Sequence, residues 1–155
     1  MKKQGLGTQL RHLIELLDGA VEQAYRDAGL PFRPRYTPVL RALLQLEPST
    51  IGQIAENAGI TQPAATQTVA LMIKEGLLSA EPGPDDARQR MIRLTDKGRE
   101  LVPSIQACWR ATQMAADSLD EELPFPLSEL LEHARAALAA KPFGQRIAKA
   151  RAESK

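Results

Sequence analysis

The sequence predicts a mainly α-helical protein with one small β-hairpin, set among short helices mid-chain and flanked by longer ones. Three observations predict it. Apolar residues recur at three- and four-residue spacing through most of the chain. Between Arg35 and Gly98, caps and breakers crowd together and cut the sequence into short elements. Within that zone the Pro/Gly-punctuated stretch Gly83-Pro84-Asp85-Asp86-Ala87-Arg88-Gln89-Arg90 separates two short apolar runs, as the tip of a hairpin does.

The length of 155 residues favours one compact domain. Hydrophobic residues make up 43% but aromatic ones only 4%, so an aliphatic core is expected. A formal net charge of +1 neither announces nor excludes a polyanion partner. Its distribution is more informative: 117–132 is acidic and 141–155 mostly basic. The lone Cys108 excludes an internal disulfide framework and suits a reducing compartment. Lys2 and Lys3 are followed by Gly5, Gly7, Thr8, Gln9 and Arg11, which make no apolar signal core. No run approaches the ~18 apolar residues of a membrane span. The expectation is a cytoplasmic protein with no membrane partner.

The first helix is expected over about 8–28, with Leu10, Leu13, Leu17, Val21 and Ala24 on one face, ended by Gly29-Leu30-Pro31. Thr37-Pro38 reads as an N-cap and first helical residue, opening a helix through Val39, Leu40, Leu43 and Leu44 that Pro48 stops. Thr50-Ile51-Gly52-Gln53 has capping-box spacing, so another helix starts there. Ala58-Gly59-Ile60 is a tight turn, and Thr61 caps a helix to about Lys74, which Gly76 ends. Leu77-Leu78 begins a strand, and Met91-Ile92-Arg93-Leu94 returns before Thr95-Asp96-Lys97-Gly98. Leu101, Ile105, Cys108, Thr112, Ala115 and Leu119 then form a seam suited to a partner helix. Asp120 to Pro126 breaks the chain, and Leu127, Leu130, Leu131, Ala134 and Leu138 mark a final helix before Pro142.

This order, a helix-turn-helix and then a hairpin tipped with arginine, is how a winged module reaches two grooves of DNA. Gln62, Thr66 and Gln67 fall on one face of the second helix of the pair. Gln pairs two-point with adenine, and the Thr methyl packs on the thymine methyl. The plain alternative is a solvated surface. Arg88 and Arg90 follow the acidic turn, and a narrow A/T-rich minor groove attracts Arg. A surface ion pair between Asp86 and Arg88 is the competing explanation. Lys74, Arg93 and Lys97 suit phosphates or simple solvation equally.

The central zone resembles the MarR family of bacterial transcriptional regulators. From Gly59, GITQPAATQTVALMIKEGLLSAEPGPDDAR follows the family's helix, strand and wing pattern, and Leu94-Thr95-Asp96-Lys97-Gly98 closes it. The resemblance implies a winged helix-turn-helix lobe at 35–98, dimerisation helices at 8–29 and 99–141, and a basic C-terminal tail at 142–155. It further implies a homodimer on pseudo-palindromic operator DNA, usually a repressor, released by a small effector such as an aromatic acid. Half-sites would lie about one helical turn, ~34–36 Å, apart. Carried over by position, the helix from Gln62 to Lys74 would enter the major groove and Arg88 the minor groove, with Asp86 orienting it; with the residue reading above, the expected DNA contacts are Gln62, Thr66, Gln67, Lys74, Asp86, Arg88 and Arg90. The effector positions are His12, Leu16, Arg35, Tyr36, Leu40 and Trp109, where Arg35 would pair with a carboxylate and the aromatic residues enclose a ring.

The chain departs from the family pattern at Gln67, where an arginine is common, and at Ala80, Glu81 and Ala87, where basic residues are common. Ala70, Leu71 and Ile73 make the second half of the recognition helix apolar. These departures keep a second reading open: a winged-helix protein-interaction module with weakened or lost DNA binding. Cys108 sits in the apolar seam and reads as a small hydrophobe rather than a redox sensor. His12 and His133 have no paired helical spacing for zinc, and no nucleophile–base constellation or phosphate-binding glycine loop is present, so neither metal, cofactor nor catalysis is expected.

Overall fold

Short-range caps set most element boundaries. The computed structural model describes residues 3–154; Met1, Lys2 and Lys155 lie outside the described residues. The order is α1 (Leu6–Asp27), a 3-10 turn (Pro34–Tyr36), α2 (Thr37–Gln45), α3 (Ile51–Ala58), α4 (Gln62–Lys74), β1 (Leu78–Pro82), β2 (Arg90–Leu94), α5 (Asp96–Glu122), α6 (Leu127–Ala140) and α7 (Phe143–Glu153). The chain divides into two compact units, Met1–Trp109 and Arg110–Lys155, with α5 running through the boundary.

In the first unit, Thr50 and Gln53 form the expected capping box, through bonds of 3.1 and 2.9 Å. Gly59 takes the left-handed conformation (φ 69°) that ends α3 and turns the chain into α4. Thr61 Oγ1 accepts from the Ala64 N–H at 3.2 Å, and Pro63 sits in the first turn of α4, where its missing N–H costs nothing. Thr37 does not cap α2. The 3-10 turn runs straight into the helix, Tyr36 is the N-cap without a side-chain bond, and the Thr37 hydroxyl lies 3.3 Å from the Tyr25 hydroxyl instead.

The hairpin is antiparallel, in register from Leu78↔Leu94 to Pro82↔Arg90. Ser49 adds a bridge to Ile92, its N–H and carbonyl bonding at 3.2 and 2.8 Å. Leu78, Ile92 and Leu94 are buried against Leu40, Leu43, Ile54, Val69, Met72 and Ile105. The core is not purely aliphatic as composition led one to expect. Tyr25, Phe32 and Tyr36 are all buried and meet edge to face, at 5.2 and 5.6 Å between centroids. Tyr25 and Val21 attach the C-terminal half of α1 to this core, while Leu6, Ile14 and Leu16 in its N-terminal half remain exposed. Of the α5 seam, Ile105 is buried and Leu101 and Cys108 are half-buried against the same core.

In the second unit, Thr112 and Ala115 of that seam are exposed and Leu119 is half-buried. Asp120 does not break α5; it lies within the helix and caps the next one, accepting from the Leu127 and Ser128 N–H groups (2.8 and 3.3 Å) and from the Ser128 hydroxyl. These bonds to Ser128 and Leu127 outweigh slight desolvation and lower its pKa. The tail expected after Pro142 is a helix in its own right. Pro142 is its N-cap, and Arg146 turns back to donate to the Lys141 and Ala137 carbonyls at 3.0 and 3.1 Å, closing the end of α6. Leu130, Leu131, Leu138, Phe143 and Ile147 are exposed on α6 and α7. Among the described residues, no helix is long and apolar enough to cross a membrane.

Candidate nucleic-acid interface

Helix α4 has two distinct faces. Ala65, Thr68, Val69 and Met72 are buried in the lobe, whereas Gln62, Pro63, Thr66, Gln67, Ala70, Ile73 and Lys74 are exposed. All four α4 residues singled out in the sequence therefore reach solvent. Thr66 donates its hydroxyl proton to the Gln62 carbonyl at 2.9 Å, a local bond common for Thr in helices.

The hairpin tip is fixed by its backbone. The Gly83 N–H donates to the Gln89 carbonyl at 2.8 Å, and the Gln89 N–H to the Asp86 carbonyl at 3.1 Å. A Cβ at Gly83 would stand 2.8 Å from that Asp86 oxygen, so the close approach requires glycine. The Asp86 Oδ1 accepts the Arg88 backbone N–H at 2.9 Å, a contact different from the side-chain ion pair of the competing explanation. The Arg88 side chain is exposed, as is Arg90, which pairs with Pro82 at the start of β2. Arg93 instead pairs with Glu81 across the hairpin (3.5 Å), and Lys97 Nζ donates to the Glu75 carbonyl at 2.9 Å. Exposed contacts of this kind are weak and exchange readily with phosphates.

The root of the hairpin is held by a residue that local sequence reasoning missed. Glu47, on the loop after α2, accepts the Leu94 N–H at 2.9 Å and the Arg99 guanidinium at 2.7 Å. That carboxylate, and its bonding to Arg99 above all, raises the Arg99 pKa further. The partners lie 47 and 52 residues away in sequence, so no spacing rule marks them.

Behind α4, the segment around the 3-10 turn touches the helix repeatedly. Arg35 donates to Thr68 Oγ1 at 3.4 Å and Arg33 pairs with Glu75 at 3.4 Å. The Tyr36 hydroxyl is buried with no hydrogen-bond partner within bonding geometry. Burial first, and the neighbouring Glu75 second, push its pKa upward.

Of the six effector positions, Tyr36 and Leu40 are buried, Trp109 is half-buried, and His12, Leu16 and Arg35 are exposed. Tyr36 and Leu40 are core residues, 0% and 1% exposed, and are sealed off by the packing of α2. Arg35 is engaged with Thr68, and Trp109 is half-buried, donating from its indole N–H to the Tyr25 hydroxyl at 3.0 Å. The Arg41 guanidinium lies 4.8 Å over the Trp109 ring, a contact absent from the sequence reading. His12 and Leu16 are exposed on α1, and His12 lines a shallow depression of about 310 Å³ with Gln4, Thr8, Arg11 and Glu15. A second depression of about 350 Å³, bordered by Arg26, Arg33, Glu75 and Lys97, includes none of the six.

A helix-turn-helix whose second helix is exposed, followed by a two-stranded hairpin rooted on the same core, defines the winged helix-turn-helix class. The MarR family model matches residues 28–89, which cover α2, α3, α4 and the first half of the wing. Over this lobe the chain is similar to the MarR family. It is 28% identical over 93 residues, 55% of its length, to an uncharacterised HTH-type transcriptional regulator of Staphylococcus aureus strain Mu50. The matched region spans 64% of that relative, just under two thirds. Among solved structures it is similar to the DNA complex of the M. tuberculosis transcriptional regulator MosR, with a TM-score of 0.68 and 22% identity over 89% of this chain and 97% of that one. It is also similar to Bordetella bronchiseptica BpsR, whose DNA binding is regulated by 6-hydroxynicotinic acid, with a TM-score of 0.54 and 21% identity over 70% of this chain and 79% of that one.

Proposed function

We propose that this protein is a homodimeric, DNA-binding transcriptional regulator, a repressor that leaves a pseudo-palindromic operator when a small molecule binds. The observation that carries the reading is one lobe presenting both an uncovered α4 face and an exposed Arg88 on a wing tip fixed by Asp86. Such a lobe offers a helix to the major groove and a guanidinium to the adjacent minor groove. A second copy would cover the exposed apolar residues of α1, α6 and α7 and set two lobes at half-site spacing. The effector would act by favouring a dimer geometry with mis-spaced helices, as in any population shift. MosR and BpsR support this reading as relatives in fold, one solved on DNA and one regulated by an aromatic acid. The family is one of transcription regulators, not enzymes.

The test is binding of the full chain to duplexes carrying its own upstream region, followed by fluorescence anisotropy across a salt series. Wild type should lose affinity steeply with salt, with a log–log slope of about −0.9 per phosphate neutralised. Arg88→Ala should weaken binding severely. Ala70 and Ile73, exposed on α4, favour a second reading as a protein-docking face. Absence of binding even at low ionic strength would overturn the first reading.

A further inference from the structure

The outward face of α4 is apolar along most of its length. Pro63, Thr66, Ala70 and Ile73 succeed one another at three- and four-residue steps, and all are exposed, Ile73 by 38%. Thr66 extends this row with its methyl, because its hydroxyl proton is committed to the Gln62 carbonyl. Gln67 is the one residue within the row's span whose side chain can bond two-point to a base edge. No carboxylate lies on the exposed face of α4, Lys74 stands at its C-terminal end, and the wing of the same lobe adds Arg88 and Arg90. Those flanks suit a polyanion, and under the DNA-binding reading the row faces the floor of the major groove. In the major groove the apolar group on an unmodified base edge is the C5-methyl of thymine.

We infer that α4 reads its half-site chiefly through thymine methyl groups, contacted by Thr66, Ala70 and Ile73, with Gln67 supplying the hydrogen bonds to bases. This rests on the DNA-binding reading and specifies what that surface recognises.

The experiment selects binding duplexes from a random-sequence pool with the full-length protein, then replaces each thymine of the winning half-site by deoxyuridine, which deletes only the methyl. At the contacted steps affinity should drop roughly three- to fivefold per methyl, the equivalent of unburying one such group. Ala70→Ser should bring the thymine-to-uracil ratio to about one at a single step and leave the other steps unchanged; Ile73→Ser should do so at a different step. A ratio is unaffected by any loss of folded protein, so a weakened variant still reports. Enrichment of half-sites in which no uracil replacement matters beyond twofold overturns this inference alone. Ratios untouched by both serine variants overturn the residue assignment. A pool that never enriches overturns the DNA-binding reading itself.

Discussion

The Asp86 carboxylate accepts the backbone N–H of Arg88 at 2.9 Å, so the acidic residue of the wing shapes the chain that carries the guanidinium and leaves the guanidinium itself unpaired with it. The acceptor needed is an oxygen, not a charge. Asp86→Asn should therefore keep DNA affinity within about twofold, whereas Asp86→Ala should weaken it about fivefold, the worth of one ordinary hydrogen bond. Neither should alter the salt dependence of anisotropy, while Arg88→Ala should reduce the slope by about 1. Equal loss in Asn and Ala variants would contradict the backbone role.

Glu47 secures the root of the same wing through the Leu94 N–H and Arg99. Glu47→Ala strands a buried backbone donor, so unfolding in urea should show a loss of about 2 kcal/mol. Arg99→Ala should cost far less, since that guanidinium is 56% exposed and solvent takes over its bonding.

Two glycines should respond in opposite directions to alanine. A Cβ at Gly98, in the first turn of α5, would lie 2.3 Å from the Leu77 carbonyl oxygen and 3.2 Å from Leu94 Cδ2. Gly98→Ala should destabilise by about 3 kcal/mol through forced backbone displacement. Gly19, exposed within α1, meets nothing within 4 Å, and Gly19→Ala should stabilise by up to about 1 kcal/mol. Parallel urea titrations check both.

Tyr36 keeps a phenol in the core with no partner within bonding geometry. Tyr36→Phe removes that unsatisfied group and should raise stability by about 1 kcal/mol at pH 7. Its raised pKa carries a pH signature: the folded state favours the neutral phenol, so this contribution is whole below the ordinary value of 10.0 and is lost as pH climbs through the raised one. Alkaline denaturation should accordingly begin at higher pH in Tyr36→Phe. An unchanged alkaline limb would show that another group sets it.

What the sequence alone determined here is the part written in neighbouring residues. Thr50 with Gln53, Thr61 before Pro63, and Gly59 and Gly76 at helix ends fix boundaries because caps satisfy backbone groups within three or four positions. The wing was legible for the same reason, in the turn from Gly83 to Arg90. The spacing of Val39, Leu40 and Leu43 likewise marked α2, and all three are buried. Tertiary structure decided whatever depends on partners far along the chain. It buried Tyr36 and Leu40 in the core, brought Glu47 to Leu94, and directed Asp120 to the start of α6 and Arg146 to its end. Burial and long-range hydrogen bonding belong to the packed chain as a whole, and a local pattern shared by a core tyrosine and a ligand-binding one cannot distinguish them.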